Sequence, residues 1–574
     1  MHPSILRKAR GLEKASLVLK NCKIINVYTK EIEYGDIAIE QNTIIGIGFY
    51  HGVIEHDMKG YYVAPGFIDG HVHIESSMVT PPEFARLIVP FGTTTVIADP
   101  HEIANVSGIE GVKFMLDSSE NIPLNVFLMA PSCVPATKED MGGAILSVYD
   151  IKSLLDHPRV IGLGEVMDYP AVLEGDPDIH QKIHHAKDRI IDGHAPDMMG
   201  YDLNAYILSG MMTDHECTKP ESMLARVQKG MYVHLREGSA TKNTRDLLKG
   251  IKPAFFDRIM FCTDDKHPED IEHEGHINFN VNLAIKEGVP AIDAIRMATL
   301  HPATCYHLPS LGAIAPGKQA DLIVFKSLET ITPLYVYHKG QLVAKEGKPL
   351  FDQVIKPPSH VLNSVRLDPN QLDFTLKLNQ SRVHVIGLIK HNITTEKKER
   401  DIVLENGIFE HKHNPDLLKF AVIERHHGTQ QMGIALVEHF GKLRGAIAMT
   451  IAHDSHNLIV IGSSDAAMTL ACKRIHELQG GIVIAQDQAV LAELKLEVSG
   501  IMTNQKSEKV KEDLQFLRKT AYNNGVNPDM GDPFILLAFL SLPVIPQLKL
   551  TYRGLFDVDS YQFIPLESDD PQHA

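Results

Sequence analysis

The chain has 574 residues, with 56 Lys and Arg against 72 Asp and Glu, a formal net charge of −16; this acidic balance argues against a nucleic-acid backbone as partner, since phosphate contacts need clustered basic residues. Hydrophobic residues at 44% and charged residues at 22% are ordinary globular values and exclude wholesale disorder. No run reaches the roughly 18–20 uninterrupted apolar residues of a membrane span, and no apolar signal region follows Arg7, Lys8 and Arg10, so a cytoplasmic location is expected. Six scattered cysteines without a CxxC pair fit reduced core thiols.

Residues 1–64 read as strands and tight turns, with 37–40 and 43–47 flanking Gln41 and Asn42 as a hairpin. The same β-rich texture returns at 321–325 and 334–344, so the flanks 1–64 and 317–356 are expected to pair into one small composite β-sandwich. Between them, in 65–316, short apolar runs recur eight times, beginning at Gly66, Thr94, Asn125, Val160, Arg189, Gly210, Met231 and Arg258. Helical stretches separate them, among them 82–91, 108–119, 220–229 and 280–300. Eight strand–helix units with continuous apolar strands predict an α/β architecture built on a parallel (β/α)8 barrel rather than an open doubly wound sheet. Residues 357–374 read as a linker, and 375–574 as a separate C-terminal α/β or α+β domain with strands at 381–388 and 482–485 and helices at 466–478 and 506–523.

The 31 histidines suggest metal chemistry, and their spacing makes the case. His71 and His73 close the first barrel strand; residues i and i+2 share a face, so both imidazoles can converge on one ion. Glu165 ends the fourth strand, His194 lies on the fifth, His215 on the sixth and Asp264 on the eighth. In a barrel these strand ends surround one mouth. Three imidazoles suffice for one catalytic zinc, so four histidines and two carboxylates predict two divalent ions. Glu165 would bridge cations about 3.5–4 Å apart with a shared activated water, and Asp264 would hold one metal and shuttle the proton to the leaving group. Asp265 alternates to another face, where it contacts substrate or holds geometry. His101 and Glu102, at the end of strand two, are candidates for a further ligand or substrate contact, or for hydrogen bonds that stiffen the loop. His426, His427, His453, Asp454 and His456 are expected to form a polar seam against the barrel, since no nucleophile-elbow sequence surrounds Ser455.

These residues carry a resemblance. Residues 65–73 (PGFIDGHVH) resemble the signature of the amidohydrolase superfamily, and 317–324 (GKQADLIV) the motif by which such chains re-enter their β-sandwich. Within that superfamily the sequence resembles the bacterial adenine deaminases, through 71–78 (HVHIESSM), 99–105 (DPHEIAN), 162–167 (GLGEVM), 192–196 (DGHAP), 213–216 (TDHE), 262–265 (CTDD), 424–429 (ERHHGT) and 452–457 (AHDSHN). The matches span nearly the whole chain. The resemblance implies hydrolytic deamination of adenine to hypoxanthine and ammonia in purine salvage, at a binuclear manganese or iron centre. His71, His73, His194, His215 and Asp264 would be its ligands and Glu165 its bridging carboxylate, where many superfamily members carry a carboxylated lysine. Attack at C6 needs protonation of the departing amine, which Asp264 is suited to supply. Arg236 and Glu237, ending strand seven, are candidates to read the purine ring nitrogens, a salt bridge at the barrel rim being the alternative. A homodimer is the family-level expectation and the commonest soluble assembly. The rival readings are an amino-sugar deacetylase, a branch that also carries Glu on strand four, and a different nucleobase deaminase.

Overall fold

In the computed structural model, which describes residues 3–196 and 198–568, the eight apolar runs become eight strands: Phe67–Val72, Thr93–Ala98, Asn125–Ala130, Val160–Val166, Ile190–Gly193, Thr213–Asp214, Tyr232–Arg236 and Ile259–Cys262. Strands one to five pair in parallel in chain order, as do six to eight. The Met212 N–H donates to the Ile191 carbonyl at 2.9 Å and joins the two sets. Closure falls at the first and last strands, where the Asp264 N–H donates to the His71 carbonyl at 3.0 Å and the His73 N–H to the Asp264 carbonyl at 3.2 Å. Helices cover the outer face, so both sides of most strands are buried, which is why they read as unbroken apolar runs.

Two helices differ from the sequence expectation. The stretch 280–300, expected as one helix, forms three: Ile277–Lys286, Ala291–Met297 and Leu300–Cys305. Gly288 has φ +98 and Pro290 cannot donate to the preceding turn, so the chain breaks there. The helix expected from Gly108 starts at His101 and runs to Ser118, bent at Gly108, whose φ of +60 suits glycine. His101 and Glu102 therefore sit in a buried first helical turn rather than in a loop.

The flanks meet in one nine-stranded mixed sheet. The strand Leu322–Phe325 pairs antiparallel with Tyr62–Pro65, so residues on either side of the barrel are tied at its base. Leu19, Ile24, Ile37 and Ile39 from the N-terminal flank share a core with Leu322, Val324 and Tyr337 from the other. Beyond residue 375 an eight-stranded sheet carries the helix Asp465–Leu478, whose Met468, Ala471, Cys472 and Ile475 fill the space against the strands.

The C-terminal unit docks on the barrel mouth. Thr503 and Met78 are joined backbone to backbone at 2.9 Å, Lys506 donates to Glu83 at 2.9 Å, and Asn457 Nδ2 donates to the Met141 carbonyl at 3.0 Å. One apolar cluster runs from barrel residues such as Val72 and Phe84 into Leu514, Phe534 and Phe539. Among the described residues no helix is long and apolar enough to cross a membrane.

Strand six is only two residues long and is secured by side chains. Arg226, fully buried, pairs with Asp214 and donates to the Met198 carbonyl at 3.1 Å and to Ser222 Oγ at 2.8 Å. Arg226→Met would leave the Asp214 carboxylate buried without its counter-charge, and a broken buried pair costs about 3–5 kcal/mol. The barrel's urea-unfolding transition should move to correspondingly lower denaturant.

Candidate metal centre

The predicted ligands all converge at the C-terminal ends of the barrel strands. His71 and Glu165 lie in strands one and four; His73, His194 and His215 each follow a strand by one residue, and Asp264 follows strand eight by two. Glu165 is the hub. Its Oε1 lies 3.3 Å from His73 Nε2, 3.7 Å from His71 Nε2 and 3.4 Å from His101 Nδ1. Its Oε2 lies 2.6 Å from His194 Nδ1 and 3.3 Å from His215 Nε2. Asp264 Oδ1 approaches His73 Nε2 at 3.1 Å, and the rings of His71 and His215 stack with centroids 4.2 Å apart.

Two of the resulting groups, His71–His73–Glu165 and Glu165–His194–His215, bring their ligand atoms close enough to hold a cation. The donors themselves fit such an occupant. His71 Nε2 is buried with no hydrogen-bond partner among the described residues, and the set offers nitrogen and oxygen without thiolate. Burial pushes the His71 imidazole down to about 3, whereas at His73, His194 and His215 the neighbouring carboxylates outweigh burial and push the imidazoles up. Burial alone would raise the Glu165 carboxyl, but hydrogen bonds with His194 and His215 outweigh it and hold the group ionised, well below its ordinary range.

The neighbours explain why these side chains stand where they do. Asp99 Oδ2 accepts the Glu165 N–H at 2.8 Å, and the Asp99 carbonyl accepts from His73 Nδ1 at 2.9 Å, which leaves Nε2 facing the centre. Asp69 accepts from the His71 N–H at 3.2 Å, the Thr263 N–H at 3.1 Å and Thr263 Oγ1 at 2.5 Å, tying strand one to strand eight beneath the mouth. Asp264 adopts a left-handed backbone, φ +59, a conformation Asp tolerates better than most residues.

The second group of candidates separates. Arg236 Nη1 reaches Asp264 Oδ2 at 2.5 Å and also binds Glu216, so its guanidinium is joined to the centre through two carboxylates. Glu237 is directed elsewhere and accepts from the Thr244 N–H at 3.1 Å. Asp265 accepts from Ser76 and lies close to His73 and Asp264. His101 joins the Glu165 cluster, whereas Glu102 faces the C-terminal unit: its Oε1 accepts from His453 Nδ1 at 2.5 Å and its Oε2 from His456. His427 Nε2 meets the Gly142 carbonyl at 3.1 Å, and His426 Nε2 the Ser455 carbonyl at 2.8 Å. These histidines form the seam anticipated from the sequence. Glu216, half-buried between Arg236 and His215, escaped sequence reasoning; its signal was its place beside a strand-end histidine, across from the strand that carries Arg236.

A parallel barrel with imidazoles and carboxylates on its strand ends defines an amidohydrolase, and residues 62–346 match the amidohydrolase family model. Residues 392–562 match the adenine deaminase C-terminal domain. The chain is 46% identical over 565 residues to adenine deaminase 2 of Carboxydothermus hydrogenoformans, covering 98% of this chain and 99% of that one. It is 47% identical over 564 residues to an adenine deaminase of Clostridium acetobutylicum, covering 97% and 99%. A third relative, the adenine deaminase of Geobacillus kaustophilus, is 44% identical over 576 residues, covering 99% of both chains. The chain belongs to the adenine deaminase family.

Gly164 lets strand four pass directly over Asp99: a Cβ there would fall inside the Asp99 carboxylate. Gly164→Ala should displace Asp99 from the Glu165 backbone and from His73. Loss of such a supporting contact costs about 10–100-fold in metal affinity, and a chelator-competition titration of the variant should show it.

Proposed function

We propose that the protein is an adenine aminohydrolase, converting adenine and water to hypoxanthine and ammonia. Near-full-length similarity to proteins named adenine deaminase carries this reading, and the convergence of four histidines and two carboxylates on one mouth supports it. His71, His73, Glu165 and Asp264 would hold one divalent cation, and Glu165, His194 and His215 a second, with manganese or iron as the metal. When bound, such a pair acidifies a water held between them, which supplies a nucleophile near neutral pH.

The chain's own residues handle the proton and the base. The water oxygen forms a bond to C6 of adenine; its proton passes to Asp264, whose Oδ2 is anchored by Arg236 and whose Oδ1 faces the His73 side of the cluster. As the C6–N bond breaks, Asp264 returns that proton to the departing nitrogen, which leaves as ammonia. Glu216 keeps Arg236 in line with Asp264. A role in purine salvage, a cytoplasmic homodimer and the division of the chain at residues 64, 316, 356 and 374 belong to the same proposal.

The first experiment is ammonia release from adenine by manganese- or iron-loaded protein against its chelated form. Metal-dependent hypoxanthine and ammonia are expected; silence on adenine with two ions confirmed bound would send the search to other cyclic amidines. Glu165→Gln should lose bound metal, measured by elemental analysis, and turnover with it; a variant retaining two ions and full activity would defeat the bridging role. Asp264→Asn removes the proton carrier, and general acid–base groups contribute about 10²–10⁴-fold. Its kcat should fall by at least that range, and near-normal turnover would refute the assignment.

A further inference from the structure

Two buried carboxylates meet at the seam between barrel and C-terminal unit: Glu75 is 3% exposed and Glu102 2%. Glu75 lies in the short turn Ile74–Ser77 after strand one, and its Oε1 accepts the Ile103 N–H at 3.2 Å, which pins it to the helical turn that carries Glu102. Its Oε2 is buried with no hydrogen-bond partner among the described residues. Both carboxylates line one small cavity with His453 and His456 of the C-terminal unit, and among the described residues no Lys or Arg lines it. The ion pairs of Glu102 are all with histidines. Buried charges are paired or coordinate metals. The cavity offers about 20 Å³, the room of one water or one ion and too little for an organic ligand.

Glu102, His453 and His456 bring their ligand atoms within 4.8 Å of one another, but the two imidazoles have different parts. His456 Nδ1 accepts the Ala452 N–H at 3.2 Å, which leaves its proton on Nε2, and Nε2 donates to Glu102 Oε2. This ring steadies the carboxylate. His453 Nδ1 lies 2.5 Å from Glu102 Oε1, and its ring is fixed by stacking on Phe539 with centroids 4.5 Å apart and planes 24° from parallel. The donors that remain for an occupant are therefore His453 Nδ1, Glu102 Oε1 and the unpartnered Glu75 Oε2.

We propose that Glu75, Glu102 and His453 form a further divalent-cation site, distinct from the cluster around Glu165, in which one ion joins the barrel to the C-terminal unit. Two carboxylates offset the charge of a dication, so the filled cluster is neutral. Oxygen and nitrogen donors without thiolate suit manganese or zinc, with water completing the coordination. An imidazole ligates in its neutral form, so the ion replaces the proton shared by His453 and Glu102, which leaves to solvent. Glu75 and Glu102 come from the barrel and His453 from the C-terminal unit, so the ion would fasten the seam from both sides. The site does not depend on adenine being the substrate.

The test uses the full-length protein, crystallised with manganese and, separately, with zinc. Anomalous difference maps at each metal's absorption edge should show a peak between Glu75 Oε2, Glu102 Oε1 and His453 Nδ1 with at least one of the two, apart from any peak at Glu165. Density there without anomalous signal from either metal marks a water and overturns the proposal. In solution, elemental analysis after gel filtration should find one metal equivalent per chain fewer in His453→Phe, which keeps the stack on Phe539 and removes the ligand, than in wild type. Glu75→Gln, nearly isosteric, should show the same loss and serves as the second variant where His453→Phe does not fold. Metal content equal to wild type in these variants overturns the proposal. The Glu165→Gln background separates the two metal readings: one equivalent should survive there and disappear when His453→Phe is added, whether or not the barrel centre binds metal. A protein that releases ammonia from adenine but shows no seam ion keeps the deaminase reading and loses this one.

Discussion

The active end of this barrel is organised by a single buried carboxylate. Glu165 lies on the fourth strand with imidazoles from both sides of the barrel within 3.7 Å of its two oxygens. Taking an ionised carboxylate out of water costs several kcal/mol unless its lone pairs are met, so its position dictates where the other groups must stand. Strands one, five and six each end in a histidine directed at it. Asp99 holds its backbone from strand two, and Gly164 leaves room for that contact. The arrangement suits metal chemistry because the same convergence that stabilises a buried charge presents lone pairs to a cation.

From this hub the structure continues outward through one helical turn. His101 touches Glu165, and its neighbour Glu102 takes hydrogen bonds from His453 and His456 of the C-terminal unit. A first turn of helix points successive side chains in different directions, and here one meets the centre while the next meets the second domain. The apolar cluster shared by barrel and C-terminal unit supplies the contact area, and the Glu102 clamp sets the register between them. The C-terminal domain is thereby coupled to the catalytic end through adjacent residues.

Much of this was legible in the sequence because the barrel converts strand ends into a common surface. Once eight apolar runs are recognised, His73, His194, His215 and Asp264 need only lie at their C-terminal ends to meet, and no knowledge of side-chain geometry is required. The paired flanks were readable for a similar reason: a β-rich texture with nowhere else to pair. What escaped depended on register or on helix boundaries. Glu216 joins the centre because strands six and seven align Thr213 with Tyr232, a pairing that local pattern does not reveal. The start of the helix at His101 was hidden behind Pro100, and the bend at Gly108 made the second half look like the whole. Glu237 was a fair candidate by position, but alternation turns it away from Arg236 and toward Thr244.

The pairing of Arg236 with Asp264 sets a condition on the chemistry. A guanidinium on Oδ2 stabilises the ionised carboxylate; together with His73 it outweighs burial and holds Asp264 well below its ordinary range. That makes Asp264 a weak base, unfit to deprotonate ordinary water. In the proposed reaction this is an advantage only if the water arrives already acidified, since a weak base that accepts a proton from an acidic donor also releases it readily to a departing amine. In the proposed reaction Arg236 would act on the acceptor and the bound cations on the donor of one proton transfer, lowering the pKa of both together. Glu216 shares the same Arg236 nitrogen with Asp264 and so fixes the guanidinium beside it.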